Sequence, residues 1–223
     1  MRRINSLEIK IIALLTMLID HIGYCFFPEL IFLRIIGRLA FPLFVFMTVE
    51  GFLHTKNLPK YIANLLLCAC VSEVFFDYIF YGTLTFAHTN SVFTLAAGVI
   101  CMYAISKDIM MGMTFSFLIG LLLRLVGFEY GLFGIVIAVG LYCIQKYFKR
   151  NLIYMMSGYI ALTMFMIFYS RSIEAYSSFA LILIVLYDGR KGYSSKWIKR
   201  LFYWFYPVHL ALLFTIQTVL QYS

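Results

Sequence analysis

The chain predicts an all-α fold: a polytopic transmembrane bundle of about nine helices with a cytoplasmic N-terminus. Three observations carry this. Hydrophobic residues make up 63% of the 223 and charged residues only 13%, whereas a soluble domain has roughly 45–50% apolar and about 25% charged residues. The apolar residues recur in runs along the whole length, which leaves no room for a separate soluble domain and makes 1–223 a single integral membrane domain. Most runs approach the ~20 residues that a helix needs to cross the hydrocarbon core.

The expected spans are 10–27, 30–53, 60–81, 91–106, 109–127, 131–148, 152–170, 173–188 and 201–221, the fourth and eighth being the shortest. Pro28, Pro59, Gly82, Gly127 and Gly189 fall between them, as turn chemistry requires. The first run follows Arg2 and Arg3 and so begins like a secretory signal. No small-x-small cleavage site follows, and Asp20-His21 breaks the apolar region, so a retained helix is expected.

Alternating nine spans from a cytoplasmic N-terminus tests the charge rule for topology. The inside segments then take Arg2, Arg3, Lys10, Lys56, Lys60, Lys107, Lys146, Lys149, Arg150 and the basic run at 190–200, while the outside segments hold only Arg171. The net charge of +8 is therefore mostly topology, through attraction to an anionic inner leaflet, and nucleic acid is not an expected partner. The expected setting is a multi-pass position in the plasma (inner) membrane, among lipids. Cys25, Cys68, Cys70, Cys101 and Cys143 sit inside apolar runs without metal-ligand spacing, so neither a disulfide framework nor a metal site is expected.

Charges inside the apolar runs carry the functional information. An ionised side chain at the bilayer centre costs from ~3 to more than 10 kcal/mol, so it persists only when paired or lining a wet cavity. Asp20 and His21 lie in the middle of the first run, Arg34, Arg38 and Glu50 in the second, Glu73 and Asp77 in the third. Residues four apart share a helix face. Arg34 and Arg38 thus form a basic stripe and Glu73 with Asp77 an acidic one, and the two stripes are expected to pack together with Asp20 nearby. Asn90, Tyr206 and His209 complete a polar path from the cytoplasmic face towards the outer half of the membrane. His21 titrates near neutrality and is the strongest candidate for chemistry. Asp20, Glu73 or Asp77 would orient it.

At these residues a family comes into view. IKIIALLTMLIDHIGY, RIIGRLAFPLFVFMTVEGFLHTKN, SEVFFDY, NSVFTL, LYDGRKG and FYWFYPVHLALL run in order over nearly the whole chain. Together they resemble the TraX family of integral membrane proteins, which is related to the acyltransferase 3 group. The resemblance implies an acyl-CoA-dependent O- or N-acetyltransferase, of the type that acetylates conjugative pilin. It also implies functional roles for Asp20, His21, Arg38, Glu50, Glu73, Asp77, Asn90, Tyr206 and His209.

Acyl transfer from a thioester needs a base for the acceptor's proton, a positive group for the oxyanion and a site for an anionic cosubstrate. The expected base is His21, assisted by Asp20, Glu73 or Asp77, with Arg38 or Asn90 at the oxyanion. Acetyl-CoA would enter from the cytoplasm with its phosphates near Arg190, Lys191 and Lys196, its arm passing Glu50, Tyr206 and His209. The acceptor would be a protein N-terminus, a peptide or a glycan. The competing reading is a proton-coupled transporter or channel, because intramembrane Asp, Glu, His and Arg also serve proton relays.

Overall fold

The computed structural model describes residues 4–85, 87–149, 151–169, 173–193 and 195–222. Helices account for nearly all of them, and no strand occurs among the described residues. In order these are α1 Ser6–Phe26, α2 Ile31–Gly37, α3 Ala40–His54, α4 Leu58–Tyr81, α5 Ser91–Lys107 and α6 Ile109–Val126. Then follow α7 Gly131–Cys143 with a π-helical turn Ile144–Phe148, α8 Leu152–Tyr169, a 3-10 segment Ile173–Phe179, α9 Ala180–Val185 and α10 Lys196–Tyr222.

Every expected apolar run contains a helix. Among the described residues seven helices are long and apolar enough to cross a membrane, counting α2 with α3 as Ile31–His54. The fourth and eighth runs form shorter helices, Ser91–Lys107 and Ile173–Val185. At ~1.5 Å per residue α5 reaches ~25 Å, less than the ~30 Å hydrocarbon core. It can be short because it is central: it packs against α3, α4, α6 and α7. Its Ala96, Val99, Cys101 and Met102 are almost wholly buried.

The chain is a multi-pass membrane protein. Met110, Met111, Leu125, Ile153 and Phe168 are largely exposed apolar side chains on α6 and α8, a surface suited to lipid.

Helix starts follow from local chemistry. Asn5 caps α1 by accepting from the Leu7 and Glu8 N–H groups, and Glu8 accepts from the Asn5 N–H at 2.8 Å. Asn57, Asn90 and Asp108 cap α4, α5 and α6 in the same way.

Two prolines shape the functional region. Pro42 has no N–H for the Arg38 carbonyl, and its ring crowds that carbonyl, so the second run breaks into α2 and α3 at Arg38-Leu39. Pro207 leaves the Tyr203 carbonyl without its helical donor. The Cys68 thiol of α4 donates to it instead at 3.3 Å, tying α4 to the turn of α10 before Pro207. All five cysteines are free.

α10 packs on α4 and α1, and α1 packs on α2 and α3. The N-terminus is held to the segment after α9 by Ile4 N–H to Leu186 carbonyl and Ser6 N–H to Arg190 carbonyl bonds, 3.0 and 2.9 Å.

Candidate functional site

His21 lies buried on α1 and meets His209 of α10 across 188 residues of sequence, Nδ1 to Nε2 at 2.8 Å. The rings stack with centroids 5.0 Å apart. His209 Nδ1 lies 2.8 Å from the Phe205 carbonyl. A carbonyl only accepts, so His209 Nδ1 carries a proton, and in a neutral pair its Nε2 is the acceptor. His21 Nδ1 then donates, which leaves the lone pair on His21 Nε2. Phe80 and Tyr206 meet the His21 ring edge-on at 5.4 and 6.5 Å. The arrangement fixes both tautomer and orientation, and it offers a single basic nitrogen.

Asp20 is engaged elsewhere. Arg38 Nη2 lies 2.7 Å from both of its oxygens, and Arg34 Nη1 lies 2.8 Å from Oδ2. Arg38 Nη1 reaches Glu174 Oε1 at 2.6 Å and Tyr130 Oη at 3.5 Å. The stripe-on-stripe expectation is thus corrected. The arginines pair with Asp20 and Glu174, not with Glu73 and Asp77. Glu73 finds its donors in Asn90, whereas Asp77 has a donor at Oδ2 alone and its buried Oδ1 has no hydrogen bond among the described residues. Glu73 Oε2 accepts from the Asn90 N–H at 2.9 Å and from its side-chain amide. Asp77 Oδ2 accepts from the Thr85 N–H at 2.9 Å. Those bonds anchor Thr85 and Asn90 to α4.

Close approach makes this ion-pair cluster possible. A Cβ on Gly37 would overlap the Asp20 side chain. Gly37→Ala should therefore push Asp20 off Arg38 and cost ~1–3 kcal/mol, in the range for overpacking a tight contact. Thermal unfolding in detergent measures this, and an unchanged midpoint would contradict the geometry.

Two cavities meet beside the cluster. The larger, about 460 Å³, is lined by Ser6, Lys10, Glu50, His54 and Lys191 near the start of α1 and the end of α3. Its deeper wall includes Asp20, His21, Ser91, Glu129, Tyr130 and Tyr206. The second, about 420 Å³, is lined by Arg38, Arg124, Glu129, Tyr130, Tyr169 and Glu174 among others. Glu129 and Tyr130 belong to both walls. Tyr130 takes a left-handed φ of 62°, stacks on Phe41 at 3.7 Å and, with Gly127 at φ 90°, makes the tight turn between α6 and α7. That turn carries Glu129 into the site.

The expected residues divide accordingly. Asp20, His21, Glu50, Lys191 and Tyr206 line the larger cavity, Arg38 lines the second, and His209 supports His21 from behind. Glu50 accepts from the Tyr187 hydroxyl at 3.0 Å. Asn90 is committed to Glu73 and to the Ala69 carbonyl. Arg190 folds onto Asp188, Nη2 to Oδ2 at 2.6 Å. The side chain of Lys196 lies outside the described residues. Among the described residues no His, Cys, Asp or Glu cluster could hold a metal ion.

Ser91, Glu129, Tyr130 and Glu174 belong to the site and escaped the sequence reading. Glu129 and Tyr130 sit in GFEYG, which reads as a turn, and Glu174 sits at the margin of a short run. The one available signal was an acidic residue inside a four-residue connection between two apolar helices.

A family model described as TraX protein matches residues 6–217. A probable fimbrial assembly protein FimC, serogroup H1, from Dichelobacter nodosus is 25% identical, with 97% of each chain covered. An uncharacterized protein RP591 from Rickettsia prowazekii (strain Madrid E) is 31% identical over 45% of this chain and 38% of its own length. No solved structure matches significantly.

Proposed function

This chain belongs to the TraX family, and on that premise we propose that it is an acyl-CoA-dependent acetyltransferase of the plasma (inner) membrane. One observation supports this reading above the others. A cavity with Lys10, His54 and Lys191 near one end has His21 in its deeper wall and shares Glu129 and Tyr130 with a second cavity. With the N-terminus in the cytoplasm, the first mouth faces the acyl-CoA pool and the second cavity faces outward.

The residues divide the work as follows. Lys10 and Lys191 attract the phosphates of the cosubstrate, a role that Arg190, tied to Asp188, fills less well. The thioester arm runs along α3 and α10 past Glu50 and Tyr206. His21 Nε2 takes the proton that the acceptor releases as it attacks the thioester carbonyl, and His209 holds that tautomer. Arg38, spent on Asp20 and Glu174, fixes the Asp20 cluster beside His21 and so positions the site rather than meeting the oxyanion itself. The fimbrial name of the Dichelobacter relative favours a pilin-type protein N-terminus as acceptor.

Thiol release from acetyl-CoA by the purified protein in nanodiscs, with a panel of amines and hydroxyl compounds, tests the proposal. Acceptor-dependent release supports it. Absence of release together with absence of acetyl-CoA binding by calorimetry overturns it. The second reading, a proton-coupled transporter, would then take its place, since two cavities meeting at a septum also suit a translocation path.

A further inference from the structure

We infer that Glu129 is a catalytic residue of this site: its carboxylate contacts the acceptor in the second cavity and takes a proton from it. The inference rests on the acyltransferase reading and goes beyond it, since the preceding mechanism uses only His21.

Glu129 is placed with unusual care for a turn residue. Its N–H donates to the Thr89 carbonyl at 3.0 Å, and its carbonyl accepts from the Thr94 hydroxyl at 2.6 Å. The backbone is therefore clamped through its N–H and its carbonyl against the start of α5. Its carboxylate interacts with the backbone N–H and hydroxyl of Ser91, and the Ser91 hydroxyl also interacts with Tyr206. The side chain is held between the two cavities, in the walls of both.

The groups facing it are Arg38, Asp20, Tyr81, Tyr130 and Tyr206. Arg38, the cation among them, is already neutralised by Asp20 and Glu174. Burial consequently prevails over Arg38 and Ser91 and pushes the Glu129 carboxyl up to about 7. Such a group accepts and returns a proton near neutrality.

Proton counting gives a second acceptor work to do when the nucleophile is an amine that arrives protonated. A primary amine arrives as an ammonium. It must lose one proton before attack, and its nitrogen loses another as the C–N bond forms. The C–S bond then breaks and the departing sulfur gains one proton. Net, ammonium and acetyl thioester give amide, thiol and one free proton. Glu129 takes the first proton and releases it through the second cavity. His21 Nε2 takes the second and returns it to the sulfur.

The experiment compares two acceptors in nanodiscs: a short peptide with a free N-terminal amine, and hydroxylamine, which is already unprotonated at neutral pH. For the parent, the peptide reaction should rise with pH through about 7, as the Glu129 carboxylate forms. Glu129→Gln should lower peptide acetylation at least ~10²-fold more than hydroxylamine acetylation, and move that rise to the pH of roughly 8 at which the peptide amine deprotonates unaided. Glu129→Asp should restore part of the peptide rate. Equal loss with both acceptors, or no loss with either, overturns the assignment. A parent inactive with both acceptors overturns the acyltransferase reading instead.

Discussion

His21→Gln should abolish acyl transfer, by ~10²–10⁴-fold in rate, while leaving the protein folded and able to bind acetyl-CoA. The substitution keeps a donor towards His209 Nε2 and most of the side-chain volume, so the bundle contact of α1 with α10 survives. What disappears is the basic nitrogen facing the cavity. His209→Phe should have the smaller effect. It leaves His21 in place but removes the acceptor that holds the proton on Nδ1, so part of the population presents the wrong nitrogen. Single-turnover kinetics with labelled acetyl-CoA measures both. Parental rates in His21→Gln would exclude it as the base.

The largest stability effect is expected at Asp20. Its carboxylate is shared by Arg34 and Arg38 within 2.8 Å, and Arg38 is only 7% exposed. Asp20→Asn leaves both guanidiniums facing a neutral amide in a region poor in water. Removing one member of a buried ion pair costs ~3–5 kcal/mol, because the partner's charge stays buried. Arg38→Met should be damaging alone and much less so in the Asp20→Asn background, since the two changes act on one interaction. Unfolding in mixed micelles across the four proteins of that cycle gives the coupling directly. Additive effects would mean that Asp20 and Arg38 do not depend on each other. Glu174, at the second cavity, keeps Arg38 from being wholly orphaned and sets the lower end of the expected range.

The architecture was legible in the sequence because lipid as a solvent imposes a simple constraint. Every backbone polar group must be satisfied within its own segment, so an apolar run becomes a helix. Each of the nine runs contains one. The break at Arg38-Leu39 was legible in principle from Pro42, and the shortness of the fourth and eighth runs was visible from their length.

Partners across helices were not legible. Periodicity puts Arg34 and Arg38 on one face and Glu73 and Asp77 on another, but it does not say which carboxylate the arginines meet. Glu73 looked unpaired because its donors are a backbone N–H and the Asn90 amide, neither of which carries a charge to flag it. The His21–His209 pair spans nearly the whole chain, and neither residue's neighbours announce the other. Glu129 was hidden for a different reason. Turn residues are read for their backbone, and GFEYG explains itself as a turn without any chemistry.

Cys68 has a consequence that reaches beyond the contact of α4 with α10. Its sulfur stands in for the hydrogen bond that Pro207 removes from the Tyr203 carbonyl, and its side chain also lines the larger cavity. Cys68→Ala would therefore take away that donor and release the carbonyl in the turn of α10 that presents Tyr206 and His209.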